Sequence, residues 1–210
     1  MNPTSIEIRP ASPEDHEAAI PLIYSSGPAA WSYVFEEGKY SPFDFLASSF
    51  VRRGNTISYT NHYVATIGKE VVGTILAYHS SSFLLLNGGT AFRILSLYGA
   101  KSFSVIGRGL TMEKMIQAPK SGCLYLGHIA VSEKHRGKGI GKDLIRHVVN
   151  QFPKYGKVSL DVSQVNPNAI GLYQKLGFKT VEARSFQGIE GRVPNHYYME
   201  ADPKEILNSV

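Results

Sequence analysis

The sequence predicts an α/β chain, a β-sheet with helices packed on its faces. Three observations carry that expectation. Between Cys123 and Val181 strand and helix patterns alternate, β-α-β-α-β. The stretch Gly137–Phe152 places Ile140, Leu144, Ile145, Val148, Val149 and Phe152 at spacings of three and four, the buried stripe of an amphipathic helix. With 210 residues, 43% hydrophobic and 19% charged, the chain is long enough to bury a substantial core and has a globular balance. No repeat, low-complexity tract or linker divides it, so residues 1–210 read as a single domain.

The elements come in this order. Ser5–Arg9 alternates Ile6 and Ile8 with Glu7 and Arg9 and reads as a strand. Ser12-Pro13-Glu14-Asp15 supplies an N-cap, a proline at the first helical position and first-turn acids, so a helix runs to about Tyr24, where Gly27-Pro28 breaks the pattern. From Ala29 to Arg53 the pattern is helical but interrupted, with a new start at Ser41-Pro42-Phe43-Asp44. Most of its aromatics (Tyr24, Trp31, Tyr33, Phe35, Tyr40, Phe43, Phe45, Phe50) read as core. His62–Ile67 and Val71–His79 form a hairpin around Gly68-Lys69-Glu70. Asn87–Ala118 fits one or two helices interrupted at Gly99, Gly107 and Gly109, a helical insertion near 82–120. Cys123–Val131 is a strand, as is the segment alternating Val158, Leu160 and Val162 with Ser159, Asp161 and Ser163. Asn166-Pro167 caps a helix that Gly177 ends, and Phe178–Val181 and His196–Glu200 are the last strands.

Composition excludes several classes. A single cysteine, Cys123, rules out an internal disulfide framework, and no Cys/His cluster, HExxH or carboxylate cluster suggests a metal. Nucleophilic catalysis by Cys123 is not expected, since no Cys-His-Asx arrangement accompanies it. Met1–Pro10 has no apolar signal region and no run of about 18 apolar residues occurs, so the expectation is a cytoplasmic protein with no membrane partner. The net charge of +5 suits any polyanion, but the cations gather at one turn and no nucleic-acid motif appears.

That turn is Val131-Ser132-Glu133-Lys134-His135-Arg136-Gly137-Lys138-Gly139-Ile140-Gly141-Lys142, between a strand and the amphipathic helix. Free N–H groups at a helix start carry partial positive charge, and glycine lets phosphate oxygens approach. Arg136, Lys138 and Lys142 add charge-assisted bonds. A dinucleotide fingerprint fails, because Lys142 or Leu144 stands where its third glycine belongs. A P-loop fails at Arg136 and Asp143. The segment Arg136-Gly137-Lys138-Gly139-Ile140-Gly141 resembles instead the Arg/Gln-x-x-Gly-x-Gly/Ala acyl-CoA site of the GCN5-related N-acetyltransferase superfamily. Asn166-Pro167-Asn168-Ala169-Ile170-Gly171-Leu172-Tyr173, with Gly177-Phe178, resembles that family's second block. The likeness is clear over Cys123–Val181 and absent over about 82–120.

The resemblance implies a central mixed, mostly antiparallel twisted sheet of six to seven strands flanked by helices, with a cofactor-binding core over about 122–182. It implies direct acetyl transfer from acetyl-CoA, as co-substrate, to an acceptor amine. The backbone of Ile129, Ala130 and Val131 would pair with the pantetheine arm, and the turn from Arg136 through Gly137, Lys138, Gly139, Ile140 and Gly141 to Lys142 would hold the pyrophosphate. Asn166 would cap its helix and meet the cofactor, Tyr173 would protonate the thiolate, and Val131 N–H would serve the oxyanion. Asp161 matches one family position for a general base. Tyr125 stands where other members carry a Glu or His base, a departure from the pattern. His128, of opposite parity to Tyr125 along the strand, reads more readily as a structural histidine, and His135 as a solvated loop residue.

For the acceptor, a small molecule is expected, because a large insertion can enclose a pocket; a protein lysine or N-terminus, or a binding module without catalysis, are the alternatives. Glu36, Glu37 and Asp44 are candidates to attract an ammonium group, or they form a solvated face. The insertion's Arg93, Lys101, Arg108, Lys114 and Lys120, against Glu113 alone, suggest a lid for an acceptor bearing carboxylate or phosphate, or a homodimer surface.

Overall fold

The computed structural model describes residues 5–209. Of the stretch Met1–Pro10 inspected for a signal, Met1–Thr4 lie outside them. Among the described residues seven strands, β1 (Ile6–Pro10), β2 (His62–Ile67), β3 (Glu70–His79), β4 (Cys123–Val131), β5 (Lys157–Ser163), β6 (Lys179–Arg184) and β7 (His196–Ala201), form one sheet in the order β1-β2-β3-β4-β5-β7-β6. Every neighbouring pair is antiparallel except β4–β5. This is the mixed, mostly antiparallel sheet expected.

Helices flank it: α1 (His16–Ser25), α2 (Pro28–Phe35), α3 (Pro42–Phe50), α4 (Phe83–Tyr98), α5 (Ser102–Glu113), α6 (Ile140–Gln151), α7 (Pro167–Lys175) and α8 (Pro203–Asn208). On one face, α6 buries Ile140, Leu144, Ile145, Val148 and Val149 against Val72, Ile75, Leu124 and Leu126. On the other, α1 to α5 build a second core around Ile23, Phe45, Leu46, Phe50 and Val105. Of the N-terminal aromatics Phe35, Phe45 and Phe50 are buried, whereas Phe43 is exposed.

The helix boundaries have local causes. Pro13–Asp15 is a 3₁₀ turn, so α1 itself begins at His16. Ser41 caps α3 by accepting from Asp44 N–H at 3.3 Å, while the Asp44 carboxylate accepts from Ser41 N–H at 2.7 Å. The insertion is two helices broken at Gly99, as expected, but Gly107 and Gly109 lie inside α5 without interrupting it. Each glycine costs about 1 kcal/mol in a helix. Burial of Val105 and Met112 beneath α5 offsets this. The outer faces of this pair expose Leu84, Leu85, Phe92, Leu95, Phe103 and Leu110. Helix α6 starts at Ile140 rather than Gly137, because Gly137 and Gly139 have φ of +77° and +83°. Helix α8 is unexpected from periodicity, being six residues long. Its signal is the Asp202-Pro203 cap, in which Asp202 Oδ1 accepts from Lys204 N–H at 2.8 Å. Among the described residues no helix is long and apolar enough to cross a membrane.

One irregularity in the sheet re-aims a side chain. Thr74 faces Ala130 across β3–β4, yet Leu76 faces Gly127, so three steps on β4 oppose two on β3. This is a β-bulge. Before it, Leu124 and Leu126 face α6; after it, Ile129 and Val131 do. The side-chain alternation therefore slips by one at His128, which turns to the Tyr125 side and corrects the opposite parity read from sequence.

Candidate active site

The parallel pairing of β4 with β5 ends at Leu126 opposite Leu160. Beyond that point a cleft of about 290 Å³ opens between the two strands, walled by Gly127–Val131 and Asp161–Ser163 and bounded by Arg136 and by Asn166, Ala169 and Tyr173 of the α7 segment. Ser132 N–H donates to Val72 O at 2.8 Å on the β3 side. Antiparallel ladders alternate, so the neighbouring Val131 N–H points away from β3, toward the cleft. An unpaired strand edge of this kind takes up an extended chain carrying amides, as a pantetheine arm does.

The glycine turn continues from Arg136, whose Nε donates to Val131 O at 3.2 Å. Gly139, in the left-handed region, is the N-cap of α6. The first helical N–H bonded is Asp143 to Gly139 O at 3.0 Å, which leaves the N–H groups of Ile140, Gly141 and Lys142 free of helical partners. The Ile140 side chain is buried, so its contribution there is the backbone alone. Gly141 sits beneath Leu172, with only 3.4 Å to a Cβ at that position. Amides, helix dipole and the cations Arg136, Lys138 and Lys142 together fit a diphosphate. Asn166 Oδ1 accepts from Ala169 N–H at 3.1 Å, capping α7, and the residue also lines the cleft.

A second cavity of about 280 Å³ lies between the sheet and the helices, lined by Trp31, Phe35, Leu76, Tyr78, Phe83, Ile94, Met112 and Ile116, among others. Ser26, Gly127, His128, Asp161 and His196 line both spaces. Among the described residues no lysine or arginine lines this second cavity. Arg108 is turned to Glu37 at 2.9 Å and to Val34 O, Arg93 donates to Ser48 O, and Lys120 pairs with Glu200. Glu37 is thereby spoken for, Asp44 is a cap, and Glu36 does not line the cavity. The insertion thus contributes its single acid, Glu113, which accepts from Asn87 Nδ2 at 2.8 Å. This reverses the charge expected of the lid.

At the junction, Asp161 is almost fully buried. Its Oδ1 meets Arg184 Nη1 at 3.2 Å and its Oδ2 accepts from the Tyr125 hydroxyl at 3.3 Å. Burial raises its pKa to about 7, outweighing Arg184. Tyr125 is buried and its pKa lies well above the usual phenol value, first through burial and then through Asp161, so it acts as a donor to Asp161. Burial likewise raises the Tyr173 hydroxyl, which stays protonated beside the cleft. His62 Nδ1 lies 2.9 Å from Ser58 O, and His62 Nε2 lies 3.0 Å from His128 Nδ1. Burial pushes His62 down to about 4 and His128 well below the ordinary histidine value. Cys123 is buried and lines neither cavity, and burial raises its thiol. Among the described residues no group of three or more His, Cys, Asp or Glu is placed to hold a metal ion.

The expected residues therefore converge in large part. Ile129, Ala130, Val131, Arg136, Asn166, Asp161 and Tyr173 share one cleft, and Tyr125 reaches it through Asp161. The sequence reading did not bring His62, Arg184 or Asn87 to this junction, each of which comes from a distant element, and it named Glu113 without placing it there. Only Glu113, the lone acid among the insertion's cations, carried a visible signal.

Comparison with known proteins agrees with this geometry. Human N-acetyltransferase 8B is 49% identical over 59 residues, which are 27% of this chain and 26% of that protein, so the match spans about a quarter of the relative's length. An N-acetyltransferase from Staphylococcus aureus has the same fold at a TM-score of 0.66 and 20% identity, covering 93% of this chain and 100% of its own. A further acetyltransferase structure matches at 0.62 and 22% identity, covering 93% and 98%. The family model for the acetyltransferase (GNAT) family matches residues 28–178. A splayed β4–β5 pair, a glycine turn with free amides and a match across most of the chain agree in placing this protein in the GNAT acetyltransferase family.

Proposed function

We propose that this enzyme transfers an acetyl group from acetyl-CoA to a primary amine on a small, largely apolar molecule, by direct attack within a ternary complex. The observation that carries this reading is the meeting of two cavities at Gly127, His128 and Asp161. One is bordered by the glycine turn with its free amides and the other is apolar with a carboxylate at its wall. Bound acetyl-CoA supplies the activated thioester; this chain's residues do the rest. Ile129, Ala130 and Val131 offer a strand edge to the pantetheine arm. The turn Arg136-Gly137-Lys138-Gly139-Ile140-Gly141-Lys142 neutralises the diphosphate, and Asn166 adds a polar contact beside it. Val131 N–H donates to the carbonyl oxygen as it gains charge. Asp161, with a pKa of about 7, accepts the first proton from the incoming ammonium, and Tyr125 and Arg184 orient its carboxylate. Tyr173 donates to the leaving sulfur.

The nature of the acceptor is argued from the second cavity. Its volume sits at the small end of small-molecule sites, and its walls are apolar with Glu113 and Asp161 as the charged groups. Such walls favour a cation carrying an apolar body and disfavour a carboxylate or phosphate. Acetyl-CoA supply and the reduced thiol of Cys123 fit a cytoplasmic setting. The test is thiol release from acetyl-CoA across a panel of arylalkyl and alkyl amines, amino acids and basic peptides. Turnover strongest with apolar monoamines is expected. Turnover confined to peptides would replace the acceptor assignment. Calorimetric binding of acetyl-CoA with no thiol release from any amine would make the chain a binding module.

A further inference from the structure

An ammonium that becomes an amide loses two protons, one before it attacks and one after the new C–N bond has formed, while the departing sulfur gains one. Asp161 takes the first, and Tyr173 supplies the sulfur. The second proton has no acceptor among them, and the junction of the cavities holds a group built to receive it.

Among the described residues His128 is the sole non-glycine with positive φ, at +47°. Such a conformation costs of order 1–3 kcal/mol and persists where its surroundings enforce it. Here the β4 bulge turns the ring to the acceptor side, Trp31 packs at 5.1 Å between ring centroids, and the His62 ring stacks at 5.3 Å. The hydrogen bonds then determine the tautomers. Ser58 O can only accept, so His62 carries its proton on Nδ1 and leaves Nε2 as an acceptor. His128 Nδ1 must therefore donate to His62 Nε2, which leaves His128 Nε2 unprotonated. That nitrogen has no protein partner among the described residues, and His128 lines both cavities. A histidine serving only to fill the core would have no need of an open lone pair at this point.

We propose that His128 Nε2 takes the second proton, with His62 as the positioning residue that fixes its tautomer and shares the charge it gains. The proposal rests on the acetyl-transfer reading. In the step, the N–H bond of the cationic adduct breaks and its electron pair stays on nitrogen. The His128 lone pair forms the new N–H bond, the oxyanion pair re-forms the C=O bond as the C–S bond breaks with its pair on sulfur, and sulfur takes the Tyr173 proton. Of the two protons then held by Asp161 and His128, one restores the Tyr173 hydroxyl and the other leaves. Overall, ammonium and thioester yield amide, thiol and one proton released to solvent. The titratable and charged groups that share a cavity or hydrogen bond with His128 are His62 on β2, Tyr78 on β3, Tyr125 on its own strand, Asp161 on β5, His196 on β7, Glu113 on α5, Tyr173 on α7 and Arg136 at the glycine turn. Burial keeps both imidazoles of the pair uncharged at neutral pH, so the Nε2 lone pair is free before the adduct forms.

Two readouts test this. Long-range ¹H–¹⁵N spectra of the whole protein should show His128 protonated at Nδ1 and bare at Nε2 near pH 7; the opposite tautomer overturns the proposal whether or not an acceptor amine is in hand. In thiol-release assays with the best amine of the panel, His128→Gln should lower kcat by about 10²-fold or more, with CoA affinity by calorimetry within about threefold. His62→Phe, which keeps the stack but cannot accept, should lower kcat at least about tenfold, and His62→Gln, whose carbonyl can accept from Nδ1, should recover most of it. A His128→Gln enzyme within about threefold of the parent, or equal rates for the two His62 variants, would overturn the assignment. Loss of CoA binding in the parent protein is a different result and bears on the acetyl-transfer reading instead.

Discussion

Asp161 is pulled in two directions. Arg184 and the Tyr125 hydroxyl favour the carboxylate, while near-complete burial favours the acid, and burial prevails, leaving the group at about 7. In the proposed mechanism the ionised form is the base, so kcat/KM should rise with pH through about 7. Asp161→Asn should flatten that rise, and an unchanged profile would remove Asp161 from the mechanism. The amide can still accept from Arg184, which limits the harm of leaving a buried guanidinium unpaired. Tyr173→Phe should lower kcat by about 10–100-fold while shifting the acetyl-CoA KM by less than about threefold; equal loss in both would assign the hydroxyl to cofactor binding. Both residues are legible in the sequence, because a family motif fixes their distance from Asn166. The environment that tunes them is not: Arg184 and His62 are far away in sequence, and nothing in their own neighbourhoods marks them.

Elements are legible where periodicity or capping is strong and illegible where packing overrides it. The strand–turn–helix from Cys123 to Phe152 and the Gly99 break come from pattern alone. The uninterrupted α5 does not, because Gly107 and Gly109 look like breakers until the helix is seen buried along Val105 and Met112. The bulge in β4 is hidden for another reason. It adds a single residue to an apolar strand that is buried on both faces, where alternation is already faint. Helix α4 supplies a sharper case. Mid-helix Gly→Ala ordinarily stabilises by about 1 kcal/mol. At Gly89, however, a Cβ would lie 1.7 Å from the backbone oxygen of Gly54. Backbone cannot swing aside as a side chain can, so the clash outweighs propensity. Gly89→Ala should lower stability by at least about 2 kcal/mol, or displace α4 and with it the Asn87, Thr90 and Ile94 wall of the second cavity, the proposed acceptor site. Urea unfolding together with amine KM measures this, and a variant more stable than the parent would show that α4 is not seated against the 52–55 turn.

At the scale of the whole molecule the site imposes opposing pH dependences on stability. His62 titrates at about 4 when folded and about 6.5 when unfolded, so the unfolded chain takes up its proton first as pH falls. Its contribution is complete above 6.5 and is lost as pH drops to about 4, a change of roughly 3 kcal/mol at full extent. His128 acts in the same direction. Asp161 acts in the other. Its folded pKa is about 7 against 3.8 unfolded, so the folded chain holds a proton that the unfolded chain has lost, and its contribution grows as pH falls across that window. In the parent protein the three partly cancel between pH 6.5 and 4. Removing one side exposes the other: relative to the parent, His62→Gln should lose less stability between pH 7 and 4.5, and Asp161→Asn should lose more. Groups common to all three proteins drop out of the comparison, including the ion-paired Asp15 and Glu200. Unfolding free energies from urea titrations at pH 7, 5.5 and 4.5 decide the matter. Parallel curves for the three proteins would mean that these groups meet water in the folded state, and that the dry junction on which the proposed proton transfers depend does not exist.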